Sequence, residues 1–140
     1  MPFSLDFEVS YRYTSSAVGV ELPVALSVGN QSVETLAKVD TGAAHSVFAR
    51  RYAEMLGFEV ESGRRQMFRT LNGVFSAYEH EVTLQSLGLE FTTLVFFAEH
   101  PSFDRNLLGR TGWLDRLRVA IIDFTLAIFP PAAPAARSWK

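Results

Sequence analysis

The sequence of 140 residues contains no cysteine. This absence excludes disulfide bonds, thiolate metal sites and cysteine nucleophiles, and it fits a reducing compartment. The sequence also lacks a large excess of either charge: it has thirteen Lys and Arg and fifteen Asp and Glu, which give a net charge of −2. The chain has no run of basic residues that could follow a phosphate backbone, so we expect no nucleic-acid partner.

Long hydrophobic runs are missing as well, and none approaches the roughly 20 residues that a membrane-spanning helix needs. The first residues, MPFSLDFEVSYRY, lack the basic and apolar regions of a signal peptide. We therefore expect a cytoplasmic protein without a membrane partner. Apolar side chains are plentiful: they make up 48% of the residues and include twelve Phe, which predict one aromatic-rich core in a single domain.

Short strands dominate the hydrophobic pattern. Apolar and polar side chains alternate over residues 4–13, which predicts an N-terminal strand, and a last strand is predicted over 119–129. Gly and Asn tolerate the backbone of tight hairpin turns. Such turns are predicted at three places: Gly29-Asn30, Asn72-Gly73 and residues 86–88.

Two short helices interrupt this pattern. Apolar residues at helical spacing follow residue 46, with Ser46 expected as the N-cap and Gly57 as the C-cap. The segment 109–118 is the second candidate helix. Since strands and helices do not alternate, we expect a mostly β protein, either a mostly antiparallel sheet or a small barrel. The domain should cover residues 1–130, with its core at about 20–129, and 131–140 should form a flexible Pro- and Ala-rich tail.

Asp40-Thr41-Gly42 lies between an apolar strand and the first helix. Gly42 permits a sharp turn, Thr41 supplies a hydroxyl group, and Asp40 projects a carboxylate. For the tripeptide alone, an ordinary Asx turn is the simpler interpretation and a catalytic site is the alternative.

Three motifs occur in a fixed order along the chain: Asp40-Thr41-Gly42-Ala43, a hairpin tip at Leu71-Asn72-Gly73-Val74, and Leu107-Leu108-Gly109-Arg110. This set resembles the retropepsin-like aspartic proteases. In that family an apolar residue precedes the first motif, a Gly-containing flap forms the second, and the third opens a short helix. Val39, the motif residues, and Ser46 with the apolar Val47 a few positions after the first motif agree with this pattern, and the resemblance covers about residues 22–129.

The resemblance implies a small closed antiparallel barrel of the retropepsin type and an aspartic endopeptidase. The sequence contains one Asp-Thr-Gly and no Asp-Ser-Gly, so the resemblance implies a homodimer in which two copies of Asp40 form the catalytic pair. A water molecule is the implied nucleophile, and no metal or cofactor is implied. The implied substrate is an extended peptide or protein segment, over which the flap closes.

Two residues depart from the family pattern. Ala44 and His45 occupy positions where many retroviral members carry acidic residues, and we treat both as candidate subsite residues. We expect His45 to face solvent, with a subsite role as the alternative, and Arg110 must then find a partner other than those acids. The departure keeps open a non-catalytic module that binds peptides or proteins on the same fold.

Glu79-His80-Glu81 is a further cluster of residue types that can bind a metal ion. Successive side chains of a strand point to opposite faces, so His80 is turned away from both neighbours. We therefore predict no metal site there. A small β-barrel in which Asp-Thr-Gly is only a turn is the third alternative.

Overall fold

The computed structural model describes residues 4, 6–13, 19–122 and 125–129. The predicted tail at 131–140 lies outside the described residues. In the described part of the chain, no helix has the length and apolar character to cross a bilayer.

Strands are the main elements, as the alternating pattern predicts. The ten strands are Val9–Arg12 (β1), Glu21–Val28 (β2), Gln31–Val39 (β3), Val47–Phe48 (β4), Arg64–Thr70 (β5), Gly73–Ser86 (β6), Leu89–Ala98 (β7), Leu107–Leu108 (β8), Arg118–Ile122 (β9) and Thr125–Phe129 (β10). The helical elements are Arg50–Met55 (α1) and two 3-10 turns, Val60–Ser62 and Leu114–Arg116.

Seven strands form one sheet in the order β2-β3-β8-β4-β7-β6-β5. β2 also pairs with β6 over three residue pairs, from Ala25↔Gln85 to Ser27↔Thr83, which curls the sheet back on itself without fully closing a barrel. The mostly β prediction is confirmed. The sheet is not entirely antiparallel, because the two-residue strands β8 and β4 pair in parallel with β3 and β7.

The remaining strands form a separate sheet in the order β1-β10-β9. The prediction of one strand over 119–129 is wrong, because β9 and β10 pair antiparallel from Thr125↔Ile122 to Phe129↔Arg118. The predicted N-terminal strand over 4–13 is also too long, since the ladder of β1 covers Val9–Arg12.

The three predicted hairpin turns are confirmed. β2 and β3 are joined at Gly29-Asn30, and β5 and β6 at Leu71-Asn72, one residue earlier than the Asn-Gly dipeptide. β6 and β7 are joined at Leu87-Gly88. Leu87 and Gly88 both have positive φ, 53° and 83°, as the primed turns of two-residue hairpins require.

Helix α1 begins three residues later than the N-cap prediction requires, at Arg50 rather than at residue 47. Its N-cap is Ala49, whose side chain makes no capping hydrogen bond. Ser46 lies three residues before this N-cap and is fully buried. Gly57 follows the helix with a φ of 86° and donates its N–H to the Glu54 carbonyl, as expected of a terminating glycine. The second predicted helix is reduced to the 3-10 turn Leu114–Arg116.

One large apolar core lies inside the curled sheet. Its largest fully buried side chains include Trp113, Phe48 and Phe97. A second cluster joins Val47, Ala77 and Phe96 to half-buried Phe rings. The short strand β4 contributes to both clusters, with Phe48 in the first and Val47 in the second, and Leu108 of β8 belongs to the first.

Candidate active site

Asp40 is the first residue after β3, at the start of a tight turn. Its N–H donates to the Leu108 carbonyl (2.9 Å), and its own carbonyl accepts from the Ala43 N–H (3.1 Å). The Gly42 N–H donates to Asp40 Oδ1 (2.9 Å), and Asp40 as a residue is half-buried. The turn therefore fixes one carboxylate oxygen and matches the Asx-turn geometry, which is compatible with a catalytic role.

The Leu-Leu-Gly-Arg motif lies beside this turn, although Asp40 and Leu107 are 67 positions apart in the sequence. Lys38 pairs with Leu107 and Val39 with Leu108 in the parallel β3–β8 ladder. Val47 pairs with Leu107 from the other side. The short strand β8 thus holds the segments before and after the Asp40 turn together, and the first and third sequence motifs meet.

Backbone hydrogen bonds join the loop that carries the Asp40 turn to the loop that follows β8. The Arg110 N–H donates to the Ala43 carbonyl and the Thr111 N–H to the Ala44 carbonyl, both at 2.9 Å. Gly109 lies directly against the other loop: a Cβ built there would be 2.6 Å from the carbonyl carbon of His45 and 2.8 Å from the Ala43 oxygen. Only glycine fits this crossing, because no side chain has room between the two backbones.

Ser46 was predicted to be the N-cap of α1, and the structure gives it a different role. Its side chain is fully buried, and Oγ accepts the Gly109 N–H (3.1 Å) and donates to the Thr111 carbonyl (3.2 Å). The hydroxyl therefore satisfies two backbone groups of the opposite loop. The sequence shows a serine next to apolar residues, but this pattern does not identify a hydrogen-bonding partner more than 60 positions away.

Replacing Ser46 with Ala is expected to destabilise the protein by about 1–3 kcal/mol, because the Gly109 N–H would remain buried without an acceptor. Urea unfolding followed by circular dichroism measures this change. Ser32→Ala on an exposed position of β3 is the matched control, expected within about 0.5 kcal/mol of wild type. Equal stability of the two variants would show that the hydroxyl does not hold the crossing together.

The β5–β6 hairpin carries the second motif at its tip. Thr70 Oγ1 accepts the Asn72 N–H (3.2 Å) and donates to the Gly73 carbonyl (3.1 Å), which fixes the turn. The Leu71 side chain is fully exposed and Val74 is 54% exposed. Gly73 has a φ of 130°. The tip therefore presents apolar side chains that the described part of the chain does not cover.

Ala44 and His45 differ in their surroundings. Ala44 is exposed, whereas His45 is half-buried with its ring edge-on to Phe68 and Phe96, at centroid distances of 5.6 and 5.0 Å. His45 was expected to face solvent, and the structure places it only partly in solvent, with its ring packed against these two Phe rings. Arg110 is exposed, and among the described residues its guanidinium has no acidic partner.

His80, considered above as part of a metal site, is buried. Its Nε2 lies 2.8 Å from the Val60 carbonyl, and its ring lies against Phe58. Over the described ranges, no three His, Cys, Asp or Glu side chains come together in a group that could hold a metal ion.

Comparisons with known proteins agree with this geometry. A family model described as aspartyl protease matches residues 24–112, which include all three motifs. The retropepsin-like aspartic protease from Rickettsia conorii is a similar solved structure, with a TM-score of 0.62 and 21% identity over 89% of this chain and 99% of that one. The EIAV protease, solved with the inhibitor HBY-793, has a TM-score of 0.53 and 20% identity over 70% of this chain and 88% of that one. No curated protein matches the sequence.

Proposed function

The chain belongs to the aspartyl protease family and is an aspartic endopeptidase of retropepsin-like fold, and from this premise we propose that two identical chains each supply one Asp40 to a shared catalytic pair. The observation that carries the proposal is the single Asp-Thr-Gly of the sequence, held in a fixed turn at the Leu-Leu-Gly-Arg crossing. One chain therefore offers half of the site. A symmetric pair, the commonest arrangement of identical subunits, completes it.

The chemistry follows from the repulsion of two neighbouring carboxylates. Such a pair cannot ionise fully, so it shares one proton and titrates as a unit. The unprotonated carboxylate accepts a proton from water as the water oxygen attacks the scissile carbonyl, and the protonated partner donates to the carbonyl oxygen. When the tetrahedral intermediate collapses, the C–N bond breaks, the carboxyl group that took the water proton gives it to the leaving amine, and the other carboxylate takes a proton back from a hydroxyl group of the intermediate. The Gly42 N–H holds Asp40 Oδ1 in place for these transfers.

Two further features support peptide as the substrate. The β5–β6 hairpin has the form of a flap, and closing its tip over a bound peptide would cover Leu71 and Val74 while excluding water from the site. Half-buried Phe68 and Phe75 line its base, which favours apolar side chains around the scissile bond. Ala44 and His45 are the proposed subsite residues, and the exposed Thr41 hydroxyls would brace the paired loops. Cytoplasmic location remains a prediction.

The alternative function is a non-catalytic module that binds peptides on the same fold. The observation that favours it is Ala44, which is exposed and offers no acid to anchor a peptide backbone or Arg110. A dimer without pepstatin-sensitive cleavage at any pH from acidic to neutral would support this alternative.

The specific activity is expected to fall as the protein is diluted below the dimer dissociation constant, because a monomer carries one Asp40. Cleavage of an apolar peptide library, measured over a dilution series, should follow the dimer fraction that sedimentation velocity gives at the same concentrations. A constant specific activity at concentrations where only monomer sediments would overturn the shared site. Addition of an inert carrier protein controls for surface adsorption of the diluted enzyme.

A further inference from the structure

We propose that His45 is a positioning residue that holds the flap strand β5 in place relative to the loop carrying Asp40, an inference that rests on the proposed function for its catalytic meaning. The backbone of His45 is fixed first. It forms a β-bridge with Thr111, and its carbonyl lies directly against Gly109. The imidazole therefore projects from a part of the site that has little freedom to move.

The ring then contacts the flap strand at two positions. His45 Nε2 lies 3.3 Å from Gln66 Nε2, and the ring is edge-on to Phe68 with an interplanar angle of 86°. Gln66 and Phe68 are half-buried, whereas Met67 between them is 60% exposed. Because strand side chains alternate, the two contacts come from consecutive inward positions of β5.

The flap strand has reason to need such a contact. β5 is an edge strand of the seven-stranded sheet, paired with β6 on one side. Its other supports among the described residues connect it to the body of the sheet, as in the Phe68–Phe96 ring contact at 5.1 Å. The His45 contact differs because it joins β5 to the catalytic loop itself. Movement of β5 at Gln66 and Phe68 relative to Asp40 therefore requires this contact to break or the loop to follow.

The polar part of the contact tolerates either charge state of the imidazole. A neutral ring can accept from the Gln66 amide N–H, and a protonated ring can donate to the amide oxygen after the amide turns over. The hydrogen bond and the ring-edge contacts are separable by mutation. His45→Phe keeps an aromatic ring against Phe68 and Phe96 and removes the hydrogen bond, while His45→Ala removes both.

Hydrogen exchange of the free protein tests the proposal without requiring activity. His45→Ala is expected to raise amide exchange over 66–74 by about five- to tenfold, since a net hydrogen bond and an aromatic contact are lost. His45→Phe and Gln66→Ala should give smaller increases, and Gln66 on an edge strand can be changed without threatening the fold. Met67→Ala, on the outward face of the same strand, is the control and should leave exchange unchanged.

Unchanged exchange over 66–74 in both His45→Ala and Gln66→Ala would overturn the proposal, as would an equal increase in Met67→Ala. In the active dimer, His45→Ala should raise KM several-fold more than it lowers kcat, because a looser flap weakens peptide binding before it affects the carboxylates. A protein that shows the exchange changes but no cleavage would refute the proposed function and leave the positioning role of His45 intact.

Discussion

Replacing Asp40 with Asn is expected to abolish peptide cleavage and leave the fold intact. Asn has the same shape, and its side-chain oxygen can still accept the Gly42 N–H that Asp40 Oδ1 accepts at 2.9 Å. It cannot, however, take a proton from water or share one with its partner. Since a positioned acid or base contributes about 10²–10⁴-fold to the rate, and the change removes both members of the pair, we expect a loss of at least about 10³-fold.

The measurement is cleavage of an apolar peptide library between acidic and neutral pH, with circular dichroism and thermal melting to verify the fold. Asp104→Asn is the matched control, because Asp104 is an exposed aspartate that pairs with Arg51 at 2.6 Å. It makes the same chemical change outside the site and should retain wild-type activity. Cleavage at the wild-type rate by pure Asp40→Asn would show that Asp40 is not the catalyst.

Local signals in the sequence predict the hairpins well. Gly29 and Gly88 supply positive φ values at two of these turns, and the flanking alternation fixes which side chains face inward. The end of α1 was also predictable, since Gly57 adopts a positive φ there. These features depend on neighbouring residues, which the linear sequence displays directly.

Features that depend on distant parts of the chain were not predictable in the same way. Ser46 has the residue type of an N-cap, but it bonds to Gly109 and Thr111, which are local to it only in the folded structure. No Gly, Pro or Asn occurs in the sequence between Ile122, where β9 ends, and Thr125, where β10 begins, so the apolar pattern reads as one strand. The contacts of His45 with the flap strand likewise depend on tertiary packing.

The same distinction between local and distant features applies to the candidate site. The motif order along the chain led to the expectation that Asp40 and Leu107-Leu108 belong to one site, and the β3–β8 ladder brings them together. The proposed second carboxylate is a different matter: the single Asp-Thr-Gly indicates that a partner is needed, but the sequence of one chain does not say how that partner is placed. The flap residues are placed at a hairpin tip by turn chemistry, while their contact with a peptide remains a proposal.

Replacing Gly109 with Ala is expected to destabilise the protein by more than about 3 kcal/mol. The new methyl group would lie 2.6 Å from the His45 carbonyl carbon and 2.8 Å from the Ala43 oxygen, and it would be closer still to the His45 oxygen. All of these atoms belong to backbone, which cannot turn aside as a flexible side chain can, so the cost should exceed the usual range of overpacking. Urea unfolding of the purified variant measures the change.

Gly88→Ala separates this steric effect from the general cost of replacing glycine. Gly88 has a φ of 83° and open space around its missing side chain, so alanine there suffers only backbone strain of about 1–2 kcal/mol. Equal losses of stability in Gly109→Ala and Gly88→Ala would mean that the Gly109 loop can move away from the Ala43–His45 backbone without cost. If they part only under strain, the Asp40 turn must shift, because backbone atoms of both Ala43 and His45 lie within 3 Å of the added methyl group. Any Gly109→Ala protein that still folds should therefore lose cleavage activity, while folded Gly88→Ala retains it.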